Sequence, residues 1–301
     1  MLTTWVTPLY NFEEGLNLAI QRKLLGGTFL KQYLLNTRLE REWLLMAAEK
    51  TQLNMTNEGG VSIQEYIGQL KDGSSGVEHN PFDWPDAYSD IITLFAKSGT
   101  YFTPTLQVRP GASGYLNENY WRIPSAKQII FTSAKSLRNP GPPKNIGTEK
   151  FLYAAQLDAT IRKAGGKVAL GGHGNDPGTG SQNELWALQM GGLTNMEALQ
   201  AGTIIGAEAI GIQKDVGSIE VGKIADLIIL NSNPLDDIHN SRDIKYVMKS
   251  GILYDGDTLD ELWPVKKKLP AWRLDLKDNN ESSSQKSQPG SDKFHGDDDD
   301  E

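Results

Sequence analysis

Five short stretches of the 301-residue chain carry side chains that could do chemistry together. They are Lys31 in "GGTFLKQYLL", Glu58 in "LNMTNEGG", Glu78 and His79 in "GVEHN", Gln107 and Arg109 in "TLQVR", and His173 in "KVALGGHGNDPGTG". Neutral imidazole and carboxylate are ordinary zinc ligands, and three protein donors plus a water leave one position open for catalysis. Two histidines, a carboxylate and a lysine could therefore converge on one divalent cation or on a pair. No member of the set is diagnostic alone. Lys31 also reads as a surface lysine, Glu58 as a loop carboxylate before Gly59 and Gly60, His79 as a turn residue, and His173 as a flexible histidine among glycines. What links them is position, since each stands at the end of a strand-like run.

Several other chemistries are excluded. The chain has no cysteine, so thiolate catalysis, disulfides and cysteine-based zinc sites are unavailable. The loop 171–180 is not a phosphate loop, because no lysine follows Gly178 or Gly180, and it lacks the early βαβ position of a dinucleotide fingerprint. No Gly-x-Ser-x-Gly elbow occurs. A glycosidase pair of carboxylates, Glu58 and Glu78, stays open at this point.

The elements that must position these residues alternate. Short strands read at 28–33, 53–58, 76–80, 101–107 and 167–172, with helices between them. Thr37 and Glu40 have capping-box spacing at the start of "NTRLEREWLLMAAEK", whose Leu39, Trp43, Met46 and Ala47 are expected to face inward. A helix in "PDAYSDIITLFAKSG" has Pro85 near its start, Ile91, Leu94 and Phe95 inward, and Gly99 as its stop. Pro104 marks a strand end or bulge, and Thr194 with Glu197 repeats the capping-box spacing. The first 25 residues show no obvious element start. Alternation of this kind is the signature of βα units around a parallel sheet, in which catalytic residues gather at the C-terminal strand ends. After residue 213 the texture becomes β-rich with glycine turns, consistent with a small accessory sheet.

The net charge of −8 is mostly terminal: eight acids against two lysines lie in 278–301, leaving about −2 for the rest. That end, "SSSQKSQPGSDKFHGDDDDE", reads as a disordered acidic tail, and no basic stripe points to nucleic acid. No apolar run is long enough to suggest a membrane span, and the start lacks the pattern of a signal peptide. If Met1 is the true start the expected compartment is the cytoplasm; a chain truncated from an exported parent would be periplasmic or secreted.

"VGSIEVGKIADLIILNSNPLDDI" resembles the C-terminal signature of the metal-dependent amidohydrolase superfamily, and "GGLTNMEALQAGTIIGAEAIGI" resembles the helices before it. "TNEGG", "GVEHN", "SGTYFTPTLQV", "LGGHG" and "GDTLDELWP" extend the likeness over about 20–272, toward an imidazolonepropionase-like subgroup often fused behind a TolB-like β-propeller. The resemblance implies an α/β fold: a partial (β/α)8 TIM-type barrel, about strands 4 to 8, then a small C-terminal β-sandwich segment and the acidic tail. It implies boundaries at 1–213 for the barrel, with an insertion loop at 108–147, 214–264 for the sandwich segment and 265–301 for the extension. A glycosidase would leave this signature unexplained.

The resemblance also implies metal-activated water attacking a carbon–nitrogen bond other than an ordinary peptide bond, in a small-molecule substrate. Lys31 falls at strand 4, where the lysine is sometimes carboxylated, and His79 at strand 6. Glu58 stands at strand 5 where histidine is usual, and His173 at strand 8 where aspartate is usual. Lys31, Glu58, His79 and His173 are thus the expected metal set, with zinc the expected ion. His173, or Asp176 three residues on, is the expected base. Tyr120 and Trp121 in the insertion are candidate substrate contacts. The superfamily's His-x-His of strand 1 occurs nowhere in the chain. A truncated or fragmentary form with weak or no activity alone is therefore expected, completed by an N-terminal region or an oligomer partner. The alternative is a non-catalytic degenerate barrel serving as a binding module.

Overall fold

A computed structural model describes residues 8–33, 37–60, 62–79, 88–108, 148–173 and 180–270 of the chain. The first described element is a helix that the sequence pattern did not announce: α1, Phe12–Leu24. Asn11 caps it by accepting the Glu14 amide at 2.9 Å, and the Glu14 carboxylate accepts the Tyr10 amide at 3.0 Å. Reciprocal bonds of this kind satisfy donors that a helix start leaves open. α1 packs on α2, Arg38–Thr51, whose capping box pairs Thr37 with Glu40 as expected.

Five strands follow the expected alternation: β1 (Phe29–Gln32), β2 (Asn54–Asn57), β3 (Gly76–Glu78), β4 (Tyr101–Thr103) and β5 (Lys167–Val168). They are shorter than the sequence reading, and β5 ends before Ala169 rather than running to residue 172. Between them lie α2, α3 (Ile63–Lys71), α4 (Ser89–Lys97) and α5 (Thr148–Lys163). All pairings are parallel and the spatial order is the sequence order, β1 to β5. After β5 come α6 (Gly180–Met190), α7 (Asn195–Ala201) and α8 (Ile204–Ala209). Gly202 and Thr203 divide α7 from α8.

The register aligns one row across the whole sheet: Gln32, Asn57, Val77, Phe102 and Val168, all buried. Side chains alternate across a strand, so this row and the residues two positions before it, Leu30 and Met55, face the helices. Val77, Phe102 and Val168 join Phe95, Phe151, Leu157 and Ile161 in the main core. A smaller cluster, Ala19, Leu30, Leu44, Ala48 and Met55, sits under α1 and α2. The opposite face carries Lys31, Thr56, Glu78, Tyr101 and Lys167, none of them buried.

The expected inward face of α2 needs correction. Leu39 and Met46 are 54% and 48% exposed, and the buried stripe is Arg41, Leu44, Ala47, Ala48 and Thr51. The reason is tertiary: Asp72, after α3, draws Arg41 inward with a 2.8 Å ion pair. Such a pull overrides apolar periodicity. In α4, which begins at Ser89, Phe95 is buried and Ile91 and Leu94 are partly buried against the core, while Pro85 lies outside the described residues.

Beyond residue 213 a four-stranded antiparallel sheet forms, β6 (Leu227–Leu230), β7 (Ile244–Lys249), β8 (Ile252–Asp255) and β9 (Glu261–Trp263), in that order. A 3₁₀ turn, Ile238–Arg242, ties it to α6. There Arg242 lies 4.0 Å from the Trp186 ring centre and Trp186 donates to the Ser241 hydroxyl at 3.1 Å. No described helix is long and apolar enough to cross a membrane.

Candidate functional site

Four of the expected residues meet at one end of the parallel sheet. Lys31 stands in β1, Glu58 directly follows β2, His79 directly follows β3, and His173 lies on the segment after β5. Lys31 Nζ is 2.8 Å from Glu58 Oε2, and His79 Nε2 is 2.6 Å from Glu58 Oε1. The His173 ring centre lies 5.7 Å from that of His79. Its Nδ1 is buried and has no hydrogen-bond partner among the described residues.

Local backbone explains how His79 reaches the group. Strand alternation would send it to the helix side after Val77, but its φ is +63°, in the left-handed region. That turn re-aims the imidazole toward Glu58. Its Nδ1 meets the Thr105 hydroxyl at 2.5 Å, and Thr105 is itself left-handed, with φ +50°. Two non-glycine residues in a conformation costing about 1 kcal/mol or more each, bonded to one another, mark strain stored at one place. Thr105 donates its proton to the Pro104 carbonyl at 2.7 Å, so its lone pair faces His79. Nδ1 then donates to Thr105, and Nε2, 2.6 Å from a carboxylate that can only accept, donates to Glu58.

Glycine permits the close approach around this centre. A Cβ on Gly59 would sit 2.0 Å from the Tyr66 hydroxyl, and one on Gly171 would sit 2.5 Å from the Thr103 methyl. Neither position tolerates a side chain without movement.

The electrostatics split two carboxylates apart. Burial raises the Glu58 carboxyl, but hydrogen bonds and charge from His79 and Lys31 outweigh it and hold the group at about 2. Glu184, on α6, is fully buried and pushed up to about 8 against two backbone donors. Those donors are Leu106 N–H at 2.7 Å to Oε1 and Gln107 N–H at 3.1 Å to Oε2. No strand-end pattern in the sequence singles out Glu184, because its partners lie more than seventy residues away.

The remaining expected residues are placed as follows. Glu78 accepts from the Thr56 hydroxyl at 2.5 Å rather than joining Glu58 as a carboxylate pair. Gln107 is buried beneath the site and sends its amide toward the Gly171 carbonyl at 3.5 Å. Arg109, Tyr120, Trp121 and Asp176 lie outside the described residues, as do the insertion from residue 109 and the tail from residue 271. A cavity of about 490 Å³ between α2 and α3 is lined by none of Lys31, Glu58, His79 or His173. Two of its lining residues, Arg38 and Arg41, are committed to Asp72.

Among the described residues, no three His, Asp or Glu side chains converge closely enough to enclose one metal ion. The expected four-residue metal shell is therefore not assembled: Glu58 is closed by Lys31 and His79, and His173 stands apart. In donor chemistry the group still fits a divalent cation. Glu58 and His79 already share one point, His79 has its second nitrogen anchored, and His173 holds a buried nitrogen without a partner.

Residues 62–253 match the profile of the Amidohydrolase family. A 5'-deoxyadenosine deaminase of Methanobrevibacter smithii is 43% identical over 65 residues, 22% of this chain and 14% of that protein. An ochratoxinase of Aspergillus niger is 31% identical over 157 residues, 47% of this chain and 32% of that protein. The fold is shared with a Xaa-Pro dipeptidase crystallised with methionine in its active site. That match has a TM-score of 0.58 and 22% identity, and it covers 84% of this chain and 62% of the dipeptidase. The chain thus spans about a third of the ochratoxinase and about three fifths of the dipeptidase.

Proposed function

The chain belongs to the Amidohydrolase family, and from that premise we propose that it is a metal-dependent hydrolase of carbon–nitrogen bonds other than ordinary peptide bonds. Members of the family are generally metal-dependent hydrolases. The five parallel strands are read as strands 4 to 8 of a (β/α)8 barrel, and β6 to β9 as part of a β-sandwich, with boundaries near residues 213 and 264.

One observation carries the reading. Lys31, Glu58, His79 and Thr105 form a continuous chain of contacts across the C-terminal ends of adjacent parallel strands, with His173 facing it. Barrel enzymes keep their chemistry at that end. Glu58 and His79 would hold a divalent cation, with zinc favoured by imidazole and carboxylate donors. When bound, such an ion acidifies a water and polarises the carbon under attack. With Nδ1–H committed to Thr105, His79 would release its Nε2 proton and offer that nitrogen to such an ion. Lys31 neutralises Glu58 as an ammonium, or becomes a donor if carboxylated. His173 receives the proton of the attacking water, with Asp176 the second candidate. Tyr120 and Trp121 are assigned to a small-molecule substrate. Because the His-x-His pair occurs nowhere in the 301 residues, fewer protein donors are available and turnover of this chain alone is expected to be low.

The test is calorimetric zinc titration of the chain, together with amine release from N-acyl amino acids and other non-peptide amides. One zinc per chain is expected, lost in both Glu58→Ala and His79→Ala. Zinc affinity unchanged in both variants would overturn the assignment. A second reading, a non-catalytic binding module, is favoured by the closure of Glu58 on its own lysine and histidine. It predicts no zinc binding and no turnover.

A further inference from the structure

The Glu184 carboxyl lies on α6, buried, at the far side of the segment that carries Thr105. We infer that Glu184 is a positioning residue for the site, fixing the imidazole of His79 by holding the backbone on which Thr105 is mounted. This rests on the proposed reading only for its consequence in catalysis.

The connection runs through four residues. Oε1 accepts the Leu106 amide at 2.7 Å and Oε2 the Gln107 amide at 3.1 Å, closing the start of the 3₁₀ turn Leu106–Val108. Thr105 directly precedes that turn and is held at φ +50°, a conformation it keeps only if the neighbouring backbone is fixed. Its hydroxyl then meets His79 Nδ1, and Nε2 of the same ring meets Glu58. Leu106, Gln107, Thr105 and Glu184 are at most 5% exposed, so water cannot replace the two bonds to the amides. The shorter bond survives either protonation state, because a neutral carboxyl still offers a carbonyl oxygen to Leu106. Glu184 sits on α6, which opens at Gly180, seven residues after His173.

The experiment reads the metal-free, full-length chain labelled with ¹⁵N-histidine, following the His79 Nδ1–H resonance, which is assigned by its loss in His79→Gln. Glu184→Met fills the volume without an acceptor. It is expected to shift that resonance and raise its solvent exchange at least about tenfold, as a local opening would. Glu184→Gln, which keeps an acceptor for Leu106, is expected to restore the signal. Thr105→Val is expected to change it as Glu184→Met does, and the double variant to change it no further. If Glu184→Met fails to fold, Glu184→Asp, too short to reach Leu106, takes its place. A resonance unmoved in the folded Glu184 variant, or moved equally in the Thr105→Val background, would overturn the inference. A merely structural role would lower the melting temperature and leave the folded protein's resonance in place. Failure of wild-type zinc binding would remove the hydrolase reading and leave this result standing.

Discussion

The two sheets differ in what lies beneath them. In the parallel sheet the row Gln32, Asn57, Val77, Phe102 and Val168 is at most 5% exposed, and the helices α2 to α5 follow its strands in turn. In the antiparallel sheet no residue of β6, β7, β8 or β9 is buried, and Ile228 is 61% exposed. Both sheets satisfy their backbone through ladders, so hydrogen bonding does not separate them. Apolar burial does. The rigid frame of the molecule is the helix-backed sheet, and the strained pair His79 and Thr105 can be held only because that frame is packed behind it.

The sharpest way to break this contrast is a pair of truncations. Phe102→Ala removes a ring that is 2% exposed and meets Phe95 edge-on at 5.5 Å. Urea unfolding should show a loss of about 3–5 kcal/mol. Val247→Ala, in the middle of β7, should cost about 1 kcal/mol or less, because its site is only half-buried. Equal losses would mean that the antiparallel sheet is as well supported as the parallel one.

How much of this was legible depended on the range of the forces involved. The two capping boxes, Thr37 with Glu40 and Thr194 with Glu197, were readable because both partners lie within one turn. The strand ends carrying Lys31, Glu58, His79 and His173 followed from alternation of strand and helix, a pattern the hydrophobic period imposes. α1 was missed although Asn11 and Glu14 have the spacing of a reciprocal cap, because glycine and polar residues dilute its apolar stripe. The inward turn of Arg41 was not legible, since it depends on Asp72 thirty-one residues on. Glu184 was invisible for the same reason: a buried carboxyl is recognised by distant backbone donors. The left-handed turn at His79 lay inside the expected strand 76–80, which would have pointed the ring the other way.

Glu184 supplies a second test of the helix-backed frame, through pH. Its folded carboxyl titrates at about 8, above the ordinary value of 4.5, so the folded state binds the proton more tightly than the unfolded one. The associated stability is therefore complete below 4.5 and lost as pH rises through about 8. Chemical denaturation across that interval should show a declining midpoint. Glu184→Gln, neutral throughout, should remove that share of the decline.

The smallest expected effect sets one ion pair of each sheet against the other. Glu58 is held at about 2 by His79 and Lys31, against an ordinary 4.5, so the sign is opposite to that of Glu184. Its contribution is complete above 4.5 and lost as pH falls through about 2, and Glu58→Gln should flatten the acid limb of the stability profile. Asp226 is also lowered, by its bonds to Lys249 and the Ser250 amide, but its partner Lys249 is 69% exposed, so the pair lies open to solvent at the start of the antiparallel sheet. Solvent and salt screen such a pair, so Asp226→Asn should leave the acid limb unchanged within measurement. If the two substitutions flattened it equally, the strand-end cluster would be no more than another surface ion pair. The distinction between a framed site and an unframed sheet would then fail at the place where it matters for chemistry.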